Sequence, residues 1–340
     1  MLTVIGEALI DEVLHSGAEP VPHVGGSPLN VAVGLARLGH PVQFLGRFGQ
    51  DAYGPLISAH LHGNGVLVPL PPDAWPTSVA RATIADDGSA SYAFAMDWEL
   101  PGMGERSEVM LQSTTLVHTG SIASMLAPGA GQVLDLVRRA HPRATISYDP
   151  NCRPSIITDV EHARRQAEAF VRLADVVKAS DEDLAWLYPG ADPLESARRW
   201  LAIGTTADGT GGDGTRGEGP AVVVVTRGAK GPWAVSRGGE SSAPVVPVEV
   251  ADTVGAGDSF MAALLSALVD RELDGAQRRN ELRSQPPEEW RAVLAYAAAA
   301  AAVTVSRAGA NPPDRAELRT ARAHGLLVPT AGTVPQEGQS

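Results

Sequence analysis

The chain has almost no cysteine, fewer basic than acidic side chains and no long hydrophobic run. Its single cysteine among 340 residues, Cys152, excludes an internal disulfide and suits a reducing compartment. Twenty-seven lysines and arginines against 39 aspartates and glutamates give a net charge of −12, which argues against nucleic-acid binding. No apolar run approaches the roughly 20 residues that span a bilayer. Because residues 1–5 already read as a core strand, we expect no signal peptide and a cytoplasmic protein without membrane partners.

Several common enzyme motifs are also missing. There is no Walker P-loop and no Gly-x-Ser-x-Gly nucleophile elbow, and the histidines show no metal-binding spacing. A dinucleotide-binding pattern, Gly209-Thr-Gly-Gly-Asp-Gly214, occurs in a low-complexity stretch. The motif requires a strand before it, whereas here the strand-like run comes after it. We therefore expect neither a nicotinamide nor a flavin cofactor, and a bound phosphate would need another cradle.

What is present fits a folded α/β protein. Hydrophobic residues make up 44% and charged residues 19% of the chain, which is long enough for one large domain or two smaller ones. Strand-like runs alternate with helix-like segments, which is typical of a mostly parallel sheet with helices on both faces. The strand-like runs are 2–5, 42–45, 115–118, 145–148, 176–177 and 221–226, and the helix-like segments are 30–38, 130–140, 163–173 and 194–202. Ligands of such sheets bind beyond the C-terminal ends of the strands.

Two stretches break this alternation and predict a second, smaller sheet. Residues 78–84 and 89–95 have period-2 alternation around Asp86-Asp87-Gly88, which predicts a β-hairpin. We expect about 8–24 and 75–100 to form a sheet that projects from the main domain and covers a pocket, here called the lid sheet. A second subunit could cover its edges, so a homodimer through the lid sheet is also expected.

Three segments are predicted to lie outside the regular fold. Residues 204–219 are dominated by Gly, Thr and Asp and predict a flexible insertion. Residues 274–289 predict a second surface insertion, and 329–340 a frayed tail.

The most informative segment reads Asp252-Thr-Val-Gly-Ala-Gly-Asp258-Ser-Phe260, between an apolar run and a helix-like stretch. The first turn of a helix has free N–H groups and a partial positive charge, and both attract phosphate. A carboxylate held there is suited to take a proton from a hydroxyl that attacks the phosphorus. The alternative is an ordinary helix start with Asp258 as the capping acid, which would need neither both glycines nor Asp252.

A second glycine segment, Gly25-Gly26-Ser-Pro-Leu-Asn30, precedes another helix. The glycines would let the backbone approach a ligand, and Asn30 offers both a donor and an acceptor. Asp11 follows a core strand and would face the ligand edge of the sheet, where a carboxylate can accept two hydrogen bonds from neighbouring hydroxyls. A plain glycine turn and a solvated loop acid are the alternatives.

Two further strand ends carry polar residues. In Asp149-Pro-Asn-Cys-Arg153 the planar guanidinium could bridge substrate and phosphate, or form a structural salt bridge. In Lys178-Ala-Ser-Asp-Glu-Asp183 the lysine could neutralise phosphate, and an acid one turn later could position hydrated magnesium. A helix start at Ser180 would account for the acids alone.

A glycine turn, Val225-Thr-Arg-Gly-Ala-Lys-Gly231, ends one more strand. It is suitable for holding a nucleotide, although a generic hairpin turn would look the same.

Together these residues resemble the ribokinase-like, PfkB family of carbohydrate kinases, most closely its fructokinase branch. The two glycine segments, Gly25–Gly39 and Asp252–Asp258, carry the resemblance in the expected order, and Gly6–Asp11, Asp149–Arg153 and Lys178–Asp181 add to it. It covers about residues 1–328, interrupted by the two insertions. The fold it implies is a mostly parallel central sheet flanked by helices on both faces, with a small β-sheet lid.

The activity that the resemblance implies is ATP-dependent transfer of the γ-phosphate to a primary hydroxyl of a monosaccharide, fructose above others. Asp258 would be the catalytic base, and the amides of Gly255, Ala256 and Gly257 would form the anion hole. The sugar would contact Asp11, Gly25, Gly26, Asn30 and Arg153, and ATP would contact Lys178, Thr226, Gly228 and Gly231.

Two metal ions are implied as well. Magnesium would accompany ATP near Asp183, and Asp252, Val254 and Gly309 match the family's potassium site. The family often has Asn, two residues and then Glu at the magnesium-associated motif, whereas this chain has Ser180 and Asp183. The shorter acid leaves open whether it contacts the metal directly or through water.

Three other functions remain at this point. A 2-keto-3-deoxygluconate kinase would use Arg153 to bind its acid substrate, and a nucleoside kinase would need a hydrophobic lid that the sequence does not decide. A catalytically silent sugar or nucleotide sensor belongs to a different class. The intact Gly255–Asp258 segment counts against the sensor, which has no need of a base.

Overall fold

Six parallel strands form the centre of the computed structural model, which describes residues 1–15, 20–84, 90–100, 103, 106–204 and 219–323. The eight strands of the main sheet are β1 (Leu2–Ile5), β4 (Val42–Leu45), β7 (Leu116–Gly120), β8 (Thr145–Asp149), β9 (Val176–Ser180), β10 (Val222–Thr226), β11 (Trp233–Ser236) and β12 (Gly239–Ser242). Their order is β12-β11-β10-β9-β8-β7-β1-β4, and only β11 and β12 run antiparallel to their neighbours. The predicted mostly parallel sheet is confirmed.

The central strands are apolar because both of their faces are covered. All four valines of β10 are fully buried, and successive ones pack into separate cores on the two faces of the sheet. The one long polar exception is Lys178 in β9, whose side chain is buried beside Asp149. Since that charge is paired, β9 continues to Ser180, three residues beyond its predicted end.

Eleven helices lie in the described residues, mostly on the two faces of the main sheet. They are α1 (Ser27–Arg37), α2 (Gly54–Gly63), α3 (Arg106–Leu111), α4 (Gly129–Ala140), α5 (Val160–Leu173), α6 (Asp181–Leu187), α7 (Pro193–Ala202), α8 (Ala256–Val269), α9 (Arg279–Arg283), α10 (Pro287–Val305) and α11 (Arg315–Ala323). Helix α1 starts three residues before its predicted start, because Pro28 favours a first helical turn. Helix α8 packs between α1 and α10 and is buried from Asp258 to Leu268, as its apolar sequence requires.

The lid sheet has four strands in the order β3-β2-β5-β6. They are β2 (Leu9–His15), β3 (Val21–Gly25), β5 (Ser78–Ile84) and β6 (Ala90–Ala95). The predicted hairpin is confirmed, since β5 pairs antiparallel with β6, and β2 joins β5 in parallel. The exact lid boundaries and a dimer through this sheet stay predictions.

Some predicted features fall on residues that the structure does not describe. These are the hairpin turn Asp86–Gly88, nearly all of the 204–219 insertion with its dinucleotide-like pattern, and the 329–340 tail. Among the helices that are described, none is long and apolar enough to cross a bilayer.

The segment predicted as a second insertion, 274–289, is tied to the main sheet. It contains a 3₁₀ turn, α9 and the start of α10, and Leu282 within it is fully buried. Arg279 Nε donates to both carboxylate oxygens of Asp175, at 2.9 and 3.1 Å, just before β9. The Asp175 side chain is only 2% exposed, so burial raises the pKa of its carboxyl while Arg279 opposes the rise.

We predict that Arg279→Ala lowers the free energy of unfolding by about 3 kcal/mol, because it leaves the Asp175 charge buried with only the more distant Arg283 to balance it. Arg278→Ala is the matched control, since its partner Glu281 is exposed and the loss should stay below about 1 kcal/mol. Urea unfolding of both variants checks this. Equal losses would contradict the anchoring role of Arg279.

Candidate active site

Polar and charged side chains cluster at the C-terminal edge of the parallel sheet. Glu7 follows β1, Asp149 ends β8, Lys178 lies in β9, and Thr226 ends β10. Because parallel strands end at a common edge, the sequence brings these groups to one side of the molecule.

Helix α8 begins at this edge with a sharp backbone bend. Gly255 has φ 74°, in the left-handed region, and a Cβ there would lie 2.6 Å from the Cβ of Ala310. Within the described residues, the amides of Gly257 and Asp258 have no hydrogen-bond acceptor, whereas the amide of Ala256 donates to the Thr253 carbonyl at 3.3 Å. The helix start therefore offers free donors to an anion, although Ala256 is less available than predicted.

Asp258 lies in the first turn of α8 and is 7% exposed. The Ser27 hydroxyl donates to its Oδ1 at 2.7 Å, and Asn30 Nδ2 donates to its Oδ2 at 2.8 Å. Asn151 Nδ2 in turn donates to the Ser27 hydroxyl at 2.7 Å. The structure thus brings Asp258 and Asn30 together, and it adds Ser27 and Asn151, whose part the sequence did not reveal.

Asp11 and the paired glycines meet where the lid sheet joins the main domain. A Cβ at Gly25 would lie 2.2 Å from Asp11 Oδ2, and one at Gly26 would lie 2.4 Å from the Glu7 carbonyl oxygen. At Gly26, where φ is 112° and the contact is with backbone, only glycine fits, whereas a side chain at Gly25 would displace the Asp11 carboxylate. The Asp11 residue is open to solvent on one side, yet partial burial of its carboxyl raises its pKa, opposed by the charges of Arg153 and His23.

Arg153 lies close enough to influence Asp11 but does not hydrogen-bond to it. Its Nη1 donates to the carbonyls of Asn151 and Cys152, at 2.8 and 3.0 Å, and to Asn151 Oδ1 at 2.6 Å. These contacts fix the β8–α5 loop, and the guanidinium charge faces the carboxylates of Asp11 and Glu7.

Lys178 and Asp149 form a buried ion pair beside the start of α8. Lys178 Nζ donates to Asp149 Oδ2 at 2.7 Å, and a Cβ at Gly257 would lie 3.4 Å from the same nitrogen. Burial raises the pKa of Asp149 to about 6, with Lys178 opposing and Asp183 adding to the rise. Burial disfavours the charged lysine, but the carboxylates of Asp149, Asp183 and Asp258 outweigh it and raise the pKa of Lys178.

A cleft of about 520 Å³ opens from the start of α8 toward β10 and α10. The predicted residues Thr226, Gly228 and Gly231 line it together with Ala256 and Gly257. Its other wall is apolar, formed by Val245, Pro247, Val250, Phe260, Ala298, Ala301 and Val305. A second cavity, of about 630 Å³, lies beyond Pro247 but contains none of the polar groups described above.

Comparison with known proteins agrees with this geometry. Residues 1–317 match the family model described as the pfkB family carbohydrate kinase. This chain is a pfkB carbohydrate kinase.

Individual relatives of the kinase carry fructokinase names. It is 30% identical over 332 residues to a fructokinase of Escherichia coli, covering 93% of this chain and 97% of that one. A probable fructokinase-4 of Arabidopsis thaliana is 30% identical over 335 residues, 94% of this chain and 96% of the relative. Among solved structures, a Xylella fastidiosa fructokinase with bound ATP aligns with a TM-score of 0.79 at 26% identity, over 95% and 98% of the two chains.

The predicted magnesium residue of the kinase, Asp183, is engaged by the chain itself. Its Oδ2 accepts from the Ser180 amide at 2.8 Å and hydroxyl at 2.7 Å, and its Oδ1 accepts from the Cys152 amide at 2.7 Å. These contacts form a capping box for α6, the structural alternative noted for this helix start. Within the described residues no group of three His, Cys, Asp or Glu side chains could hold a metal ion. Both carboxylate oxygens of Asp183 thus already accept hydrogen bonds from the chain, and its contact with magnesium stays a prediction.

The predicted potassium residues do come together. Asp252 Oδ1 accepts from the Val254 amide at 3.0 Å and Oδ2 from the Gly309 amide at 2.8 Å, which keeps the pKa of Asp252 low. The carboxylate joins the loop before α8 to the loop after α10. Its role in binding potassium stays a prediction.

Glu7 lies in the linker between β1 and β2, and in the sequence it stood out only as part of the Gly6–Asp11 motif. It is 3% exposed, and its Oε2 accepts from the Ala123 amide at 3.0 Å. Burial raises the pKa of Glu7 to about 7. Local sequence could not reveal this, because the burial comes from the loop after β7, more than 100 residues away.

We predict that Glu7→Gln stabilises the kinase more at pH 8 than at pH 5. A raised carboxyl pKa favours folding below about 4.5, and this contribution is lost as the pH rises to about 7. Glutamine stays neutral, so the gain should grow by up to roughly 3 kcal/mol across this window. Urea unfolding at both pH values measures it, with the exposed Glu108→Gln as control. A variant less stable at pH 8 than the native chain would contradict the assignment.

Proposed function

We propose that this kinase transfers the γ-phosphoryl group of ATP to a primary hydroxyl of fructose. The observation that carries the proposal is the position of Asp258. Its carboxylate lies in the first turn of α8, next to Ala256 and Gly257 of the apolar cleft, and accepts a hydrogen bond from Asn30 of α1. A nucleotide in the cleft and a polyol beside Asn30 would meet at this carboxylate.

The cleft suits the nucleotide. Its apolar wall from α8, α10 and the 245–250 segment would pack against the base, and the glycine turn Gly228–Gly231 leaves room for backbone contacts. At the other end the free amides of α8 and the Lys178 ammonium would face the terminal phosphates. Mg²⁺ bound with ATP would neutralise phosphate charge, and Asp183 is the acid that we propose to order its water shell.

The proposed reaction is a direct displacement. The sugar hydroxyl attacks the γ-phosphorus, a new O–P bond forms, the bond to the β-phosphate oxygen breaks, and ADP leaves. The hydroxyl proton passes to Asp258, whose orientation Ser27 and Asn30 fix. Because the transition state is loose, positioning and charge neutralisation contribute most of the rate, and the base adds about 10²–10⁴-fold.

Arg153 bears on the choice between a neutral sugar and a sugar acid. Its charge lies near Asp11 and Glu7, and its Nη1 is already used by the loop backbone. A substrate carboxylate would compete with Asp11 for the guanidinium. We therefore favour fructose, which presents hydroxyls to Asp11, over 2-keto-3-deoxygluconate.

The proposal has two further parts, a potassium ion and the cellular compartment. The Asp252 loop would hold a potassium ion that orders the start of α8, since this carboxylate joins two loops beside it. The buried single thiol of Cys152 suits action in the reducing cytoplasm.

An assay of ADP release with fructose, glucose, 2-keto-3-deoxygluconate and adenosine tests the proposal. We predict the highest kcat/KM for fructose, by at least about tenfold over the sugar acid, because a neutral sugar can hydrogen-bond to Asp11 without a carboxylate that competes for Arg153. Asp258→Asn should lower kcat by about 10²–10⁴-fold and change the ATP Kd less than about threefold. Asp135→Asn, an exposed acid on α4, is the matched control.

Three results would contradict the proposal. If Asp258→Asn is as active as the native kinase, Asp258 is not the base. A preference for the sugar acid would favour a 2-keto-3-deoxygluconate kinase. ATP binding without turnover of any sugar would favour a catalytically silent sensor.

A further inference from the structure

The Ser27 hydroxyl occupies a position between two polar side chains at the site. It donates to Asp258 Oδ1 at 2.7 Å and accepts from Asn151 Nδ2 at 2.7 Å, whereas the direct contact of Asn151 Nδ2 with Asp258 Oδ1 is longer, at 3.5 Å. Ser27 is 7% exposed, so bulk water is a poor substitute for either contact. A hydroxyl has one donor and two acceptor sites, and the contact with Asn151 leaves its proton for the carboxylate.

These contacts belong to a longer chain of hydrogen bonds. The backbone amide of Asn151 donates to Asp149 Oδ1 at 3.2 Å, and Asp149 Oδ2 accepts from Lys178 Nζ at 2.7 Å. Hydrogen bonds therefore connect Lys178, which lies beside Gly257, to the Asp258 carboxylate through Asp149, Asn151 and Ser27.

The backbone that carries Ser27 has little freedom to move. Gly26 precedes it with φ 112° and lies against the Glu7 carbonyl, and Pro28 fixes the first turn of α1. Asn151 is also held in an uncommon conformation, with φ 35°. Two loops and the start of α1 thus hold the Ser27 hydroxyl in place, so the donor that orients the Asp258 carboxylate has a fixed position.

We propose that Ser27 is a positioning residue for the base, and that Asn151 acts through it. The hydroxyl holds Oδ1, Asn30 holds Oδ2, and the remaining lone pairs of the carboxylate stay directed at the sugar hydroxyl. This inference rests on the proposed function, since it assigns a role in the reaction of Asp258.

Steady-state kinetics of Ser27→Ala in the full chain test the role. We expect kcat to fall about 10-fold while both KM values change less than about threefold, because the lost bond orients the base and binds neither substrate. Ser266→Ala is the control: it lies on α8, is fully buried, and loses a similar bond to His40.

A second variant tests the path through Asn151. Asn151→Gly keeps the positive φ accessible while removing the side chain, and it should lower kcat in the same way. In the double variant with Ser27→Ala the two losses should not multiply fully, because Asn151 acts mainly on the same hydroxyl and its direct contact with Asp258 Oδ1 is long, at 3.5 Å. Multiplying losses would overturn the part assigned to Asn151.

The outcomes separate this inference from the function on which it rests. A native kcat in Ser27→Ala, or an equal fall of kcat in Ser266→Ala, overturns the positioning role of Ser27. If Asp258→Asn is inactive in the same assay, the kinase assignment still stands. An active Asp258→Asn overturns both.

Discussion

The start of α8 is the feature on which the site depends, because it combines free backbone donors with a buried acid. A left-handed Gly255 bends the chain so that the amides of Gly257 and Asp258 are left without acceptors in the described structure. The same turn places the Asp258 carboxylate against Ser27 and Asn30 of α1. A helix buried between α1 and α10 cannot shift easily, so the fold holds donors and acid together.

Charge balance explains why so many ionisable groups can be buried here. Asp149, Asp183 and Asp258 all influence Lys178, and only one of the three, Asp149, is in direct contact with it. Asp183 is stabilised by backbone amides and Asp258 by neutral side-chain donors. The result is a site with an excess of negative charge, in which Lys178 is already paired. An incoming nucleotide would need to bring its own cation to bind there.

The sequence predicted the sheet, the lid hairpin and the α8 start because each has a local signal: apolar runs, period-2 alternation and a glycine turn before an acid. It did not predict what depends on distant contacts. Ser27 stood unnoticed between Gly26 and Asn30, since its partner Asp258 is 231 residues away. Ala298 and Ala301 read as plain helix, and only packing makes them a wall of the cleft. Asp183 read as a magnesium residue, while the backbone of Cys152 and Ser180 completes a cap around it.

The central claim is that the turn at residues 255–258 receives the transferring group while its acid faces the sugar hydroxyl. A crystal structure of the kinase with ADP, aluminium fluoride and fructose tests it most directly. The account predicts the fluoride group on the amides of Gly257 and Asp258, and a primary hydroxyl within about 3 Å of an Asp258 oxygen. A fluoride group bound elsewhere in the cleft, or a sugar whose hydroxyls all lie beyond hydrogen-bonding reach of Asp258, would contradict it.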